Sequence, residues 1–190
     1  MYSVTRYMRV FSLLLAGLTG FSGNADAESC ADTNCKVSVL FKGTYLEDTC
    51  DVIINNGSST ETVVLSTLST NTLKTNGAEA GSVAFDIMLK GCPTAKTISL
   101  WFASTDADSA TGNMVNAKGN EYSSNVQVRL RNAAGSQLVL NDRNSVQDYI
   151  IPATGGDVVH SYQAMYYADG TGAVTPGLVN AMASINLTYR

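Results

Sequence analysis

Cys30, Cys35, Cys50 and Cys92 are the four cysteines of this chain. The chemistry open to them is oxidation to disulfides, provided the chain leaves the reducing cytoplasm. The first residues meet that condition. Arg6 and Arg9 form a basic front, Val10 to Phe21 is a short apolar run, and Ala25-Asp26-Ala27 is a small-x-small cleavage signal. Residues 1–27 are therefore expected to be a secretory signal peptide. The apolar run falls short of the ~20 residues a membrane helix needs, so no membrane insertion is expected. Four cysteines allow three connectivities. Pairing Cys50 with Cys92 and Cys30 with Cys35 is favoured, because Cys50 and Cys92 each lie near a β-like run while Cys30 and Cys35 share a polar arm. A 50–92 bridge closes a loop of about 42 residues, worth roughly 4 kcal/mol in the chain-entropy picture.

Other residues that could do chemistry are sparse. His160 is the single histidine and falls in an alternating, strand-like segment, where a hydrogen-bonded or surface role is the ordinary one. Asp106 and Asp108, in T-D-A-D-S, could suggest calcium, but too few oxygen ligands cluster there. No G-x-S-x-G elbow occurs, and no Gly-rich loop opens a helix to cradle phosphate. Asn56-Gly57-Ser58 and Asn186-Leu187-Thr188 are glycosylation sequons by spelling only. The net charge of −4, with no basic patch, argues against nucleic acid as a partner. Charged residues are 15% of the chain against a usual ~25%, and Thr, Ser, Asn, Gly and Ala fill the gap. Such a composition suits an inert extracellular material better than an enzyme, and no cofactor is implied.

The elements must then carry the reading. From Val179 to Arg190 the chain reads V-N-A-M-A-S-I-N-L-T-Y-R. Val179, Ala181, Ala183, Ile185, Leu187 and Tyr189 are apolar, and the residues between them are mostly polar. That period of two predicts one long strand with a single buried face. An apolar strand at an edge is an association hazard unless something lies beside it. Similar alternation marks Val83–Leu89 and Asn125–Arg131. Thr97–Ala103, Gln137–Leu140 and Asp157–Tyr167 also read as strands. Ser66–Gly81 and Thr105–Gly119 read as polar loops, and Asn55-Asn56-Gly57 and Asn132-Ala133-Ala134-Gly135 as turns. Many short strands and no helical period predict an all-β sandwich in one domain. Near the front, Val37, Val39, Phe41, Gly43 and Tyr45 fall on one face of an extended segment. An ordinary first strand would show the same alternation.

Several of these features together resemble the type 1 fimbrial major-subunit family of chaperone–usher pilins. They are Phe41-Lys42-Gly43 shortly before Cys50, the Cys50–Cys92 separation, Y-Q-A-M-Y-Y-A-D-G-T-G-A-V-T-P-G-L-V-N-A over Tyr162–Ala181, and the penultimate Tyr189. The resemblance covers essentially the whole chain after the signal peptide.

It implies an immunoglobulin-like sandwich that is incomplete, lacking its seventh strand. It implies a hydrophobic acceptor groove beside the last strand, lined here by Val179, Ala181, Ala183, Ile185, Leu187 and Tyr189. A periplasmic pilus chaperone would fill that groove first. The N-terminal arm of a neighbouring fimbrial subunit would replace it at the outer-membrane usher. On this basis residues 28–42 are expected to be a donor-strand extension, with Val37, Val39, Phe41 and Gly43 facing the groove, and 43–190 the pilin domain. Each of the three larger donor side chains gains roughly 1.5–3 kcal/mol on burial, before ordering costs. The implied product is a surface fimbrium of a Gram-negative bacterium, exported through the periplasm, that supports cell adhesion. A minor adaptor or terminator subunit, or a secreted β-sandwich carbohydrate-binding protein, are the alternatives. Cys30 and Cys35 depart from the family pattern; they would knot the arm's tip or link subunits covalently. Arg190 also differs from the commoner neutral end.

Overall fold

The structure is a computed structural model that describes residues 49–190. The signal peptide, Cys30, Cys35 and the donor residues Val37, Val39, Phe41 and Gly43 lie outside the described residues.

The described residues form nine strands and one 3₁₀ turn. In order they are β1 (Asp51–Ile54), the turn (Thr70–Leu73), β2 (Glu79–Lys90), β3 (Thr97–Ala103), β4 (Met114–Val115), β5 (Val126–Asn132), β6 (Gln137–Leu138), β7 (Gln147–Ile150), β8 (Val158–Ala168) and β9 (Ser184–Tyr189). The larger sheet runs β1-β2-β8-β5-β4, with β6 also on β5; the smaller runs β7-β3-β9. All pairings between these strands are antiparallel. The chain is an all-β, immunoglobulin-like sandwich, and it is incomplete.

The alternation explains the layers. Phe85, Ile87 and Leu89 of β2 are buried while Ser82, Ala84, Asp86 and Lys90 are exposed. Val126, Val128 and Leu130 of β5 are likewise inward. Ile98, Leu100 and Phe102 of β3 close the core from the other sheet. Phe85 stacks on Tyr162 at 5.5 Å between ring centres, and Phe102 meets the same ring edge-on. Bulk apolar burial of this kind is the main force holding two sheets together. β2 bulges between Ala80 and Val83. Gly81 permits the bulge: its φ is +68°, and a Cβ there would lie 2.8 Å from the Leu68 side chain.

The structure departs from the sequence expectation in four places. The stretch 105–119 is not wholly loop, because Met114–Val115 pair with β5. β7 was not anticipated. The stretch 66–81 holds the 3₁₀ turn, capped by the Ser69 hydroxyl accepting from Asn71 N–H, and the start of β2. The last ladder begins only at Ser184, so 179–183 is extended chain outside any strand.

Candidate functional site: an open backbone edge

The odd and even residues of the last stretch have separate fates. Arg190 N–H donates to the Thr97 carbonyl at 3.0 Å. The register sets Thr188 against Ser99, Asn186 against Trp101 and Ser184 against Ala103. Bonded and non-bonded pairs alternate along an antiparallel ladder. The even residues of β9 therefore bond to β3. The backbone N–H and C=O groups of Ile185, Leu187 and Tyr189 face away from it, and among the described residues β9 has no other strand partner.

The same parity continues upstream of β9. Leu178 N–H donates to the Glu121 carbonyl, and the Leu178 carbonyl accepts from Ser123 N–H. Asn180 N–H donates to Asn116 Oδ1 at 2.7 Å, and its carbonyl accepts from Ala117 N–H at 2.9 Å. The Met182 carbonyl accepts from the Ser104 hydroxyl at 2.7 Å. Val179, Ala181 and Ala183 have no backbone hydrogen bond among the described residues. Side chains follow suit. All six odd residues are half-buried against the core, and the even ones are exposed apart from Asn186. Met182 reaches 81% exposure.

A second stretch shares this character. Val63 and Leu65 pack on the same core cluster, while Val64 between them is 77% exposed. Residues 61–68 make no backbone–backbone hydrogen bond among the described residues. Two runs with backbone groups that no described residue takes up thus border one core, a combination that costs stability unless a further strand supplies partners.

The end of β9 is tied to the start of β1. Cys50 and Cys92 are disulfide-bonded, with 4.3 Å between their Cα atoms. Cys50 N–H donates to the Tyr189 hydroxyl at 2.9 Å. The bridge sits just outside the β1–β2 ladder, which opens with Asp51 opposite Lys90.

The other flagged residues have local occupations. His160 stacks on Tyr149, 4.0 Å between ring centres, and burial lowers its pKa. Asp108 accepts from Ala110 N–H, Thr111 N–H and the Gln127 amide, and the two backbone bonds are the main cause of its lowered pKa. Asn116 and Ser104 carried no signal in the sequence, whereas Val63 and Leu65 lie in the short β-branched run Thr62–Leu65. Two of the three partners of Asn116 are 62 and 64 residues away, beyond any local pattern.

Comparison with known proteins follows the same line. The family model described as fimbrial protein matches residues 39–190. The chain is 30% identical to the F17 fimbrial protein of Escherichia coli over 87% of this chain and 94% of that one. It is also 30% identical to a type-1 fimbrial protein, A chain, of Escherichia coli, over 96% of this chain and the whole of the relative. Among solved structures it is similar to the P pilus rod subunit PapA, with TM-score 0.60 and 21% identity, covering 74% of this chain and 99% of PapA. A structure of a chaperone–usher pilus, described for its rod uncoiling, gives TM-score 0.59 at 21% identity, over 83% of this chain and 97% of that one.

Proposed function

Since the chain belongs to the fimbrial-protein family of chaperone–usher pilus subunits, we propose that it is a structural subunit that polymerises by donor-strand exchange. Residues 28–42 of one copy complete the sandwich of the next, after residues 1–27 have been removed as a signal peptide. A periplasmic chaperone occupies the acceptor before assembly, and an outer-membrane usher hosts the exchange. The resulting fibre stands on the surface of a Gram-negative cell and supports its attachment. The role is structural and not catalytic.

One observation carries this reading. Six alternate residues, Val179 to Tyr189, offer an apolar face together with backbone groups that no described strand takes up. Strand addition needs both at once: main-chain bonds for affinity, and alternate side-chain positions for specificity. The segment with Val37, Val39, Phe41 and Gly43 has the matching period.

The test is deletion of residues 28–42 behind an intact signal peptide, with co-expressed chaperone. The truncated chain should still co-purify with chaperone, yet form no polymer with its own kind. Polymer of normal length from the truncated chain would overturn the assignment of the donor. Copies counted per fibre separate a rod subunit, present in many, from an adaptor, present in few.

A further inference from the structure

The ladder of β9 on β3 supplies only three free-facing residues, Ile185, Leu187 and Tyr189. At about 3.3 Å per residue, 185 to 189 spans roughly 13 Å, whereas 179 to 189 spans roughly 33 Å. The longer edge exists because residues 178–183 stay in phase with β9 although, among the described residues, only a single bridge from Tyr122 to Leu178 lies beside them. Something other than a sheet ladder must hold them.

Backbone bonds fix Leu178 to Glu121 and Ser123 and the Asn180 carbonyl to Ala117 N–H, and two side chains supply the rest. Asn116 follows β4 and is buried. Its Nδ2 donates to the Ser123 carbonyl at 2.7 Å and the Leu178 carbonyl at 3.0 Å, and its Oδ1 accepts from Asn180 N–H. Ser104 follows β3. Its Oγ donates to the Met182 carbonyl and accepts from Asp106 N–H, while Asn141 brackets its backbone from both sides. Every contact that these two side chains make with the run falls on Leu178, Asn180 or Met182, the residues whose groups turn inward. Gly177 lets the run enter this position: a Cβ there would lie 2.4 Å from Ser123 N.

We infer that Asn116 and Ser104 are positioning residues that extend the acceptor edge from three free-facing residues to six, and so set how many residues of an incoming donor strand are bonded. The inference rests on the donor-strand reading above and adds the residues that fix the length of engagement. They touch the donor only through the backbone they align. Losing them shortens the edge and leaves the β9 half intact.

The experiment is residue-resolved amide hydrogen exchange on fibres assembled from the full chain. The wild-type fibre should protect the amides of Val179, Ala181, Ala183, Ile185, Leu187 and Tyr189 alike. In Asn116→Ala and in Ser104→Ala fibres, exchange at 179, 181 and 183 should quicken by about tenfold, the size of one unmade hydrogen bond. Exchange at 185, 187 and 189 should not change. Asn116→Asp, which keeps the acceptor for Asn180 N–H but loses both donors, should fall between. Wild-type protection at 179–183 in both alanine variants overturns the inference. So does uniform loss across 179–189 in Ser104→Ala, whose mild truncation keeps the test open if Asn116→Ala does not fold. Absence of protection anywhere along 179–189 in the wild-type fibre would instead remove the donor-strand reading itself.

Discussion

Tyr149 and Tyr162 meet hydroxyl to hydroxyl at 2.9 Å, across the space between the two sheets, and both are fully buried. Tyr149 also donates to the Ile87 carbonyl at 3.1 Å. A phenol has a single proton, so Tyr162 must be the donor to Tyr149. Burial pushes both phenols up, Tyr162 to about 12. The direction of the bond makes the two positions unequal. Tyr149→Phe leaves the Tyr162 proton buried with no acceptor and should cost about 1–3 kcal/mol. Tyr162→Phe leaves Tyr149 still bonded to Ile87 and should cost about 0.5–1.5 kcal/mol. Denaturant midpoints of the two variants check this. Equal losses, or the reverse order, would refute the assigned direction.

At the scale of elements, the strands legible in the sequence are those with several inward apolar residues in period two. β2, β3, β5 and β8 each carry at least three buried apolar side chains; β3, β5 and β8 lie within one residue of their expected limits, and β2 starts four residues before its own. β7 was hidden because its only buried residue is Tyr149, and Ile150 next to it is 72% exposed. β4 was hidden because it is two residues long and flanked by buried Asn113 and Asn116. Those amides are tolerated inside because each is hydrogen-bonded, to Gln127, Ser123 and Leu178 among others, and such partners are set by tertiary structure. The open edge was half legible. Its alternation could be read from 179 to 189, but not that β9 begins only at Ser184 and that side chains help to hold the rest. The Cys50–Cys92 bridge adds a covalent tie at the start of β1, whose ladder is only four residues long. Replacing both cysteines by serine should lower stability by about 2–5 kcal/mol, read as a shift in urea midpoint. A shift below about 1 kcal/mol would mean that the β1–β2 ladder and the Tyr189 hydroxyl hold this corner unaided.

For the whole molecule, the charged groups tie strands that are not neighbours. Arg129 and Arg131 of β5 reach across β8 to Glu79 of β2, with Arg129 at 2.7 Å from the carboxylate and its guanidinium 3.7 Å over the Tyr167 ring. The hydrogen bonds from Arg131 are the largest cause that holds Glu79 below its ordinary 4.5, and burial opposes them. Asp108 is held below its ordinary 3.8. His160, between the sheets on the Tyr149 ring, is held below its ordinary 6.5 by burial. In all three the folded pKa is depressed, so the unfolded chain takes up its proton first as the pH falls. Each contribution is complete above the unfolded pKa and is lost on acidification. Stability should therefore be flat above about pH 7, fall in a first step below about 6.5 as His160 charges, and fall again below about 4.5 as the carboxylates protonate. His160→Gln should abolish the upper step and leave the lower one. Glu79→Gln should lower the plateau and shrink the lower step, because two guanidinium groups lose their anion. The check is urea unfolding of the purified chain at half-unit intervals from about pH 3 to 8. If the upper step persists in His160→Gln, the acid sensitivity does not originate between the sheets, and the Tyr149 stack tolerates an imidazolium.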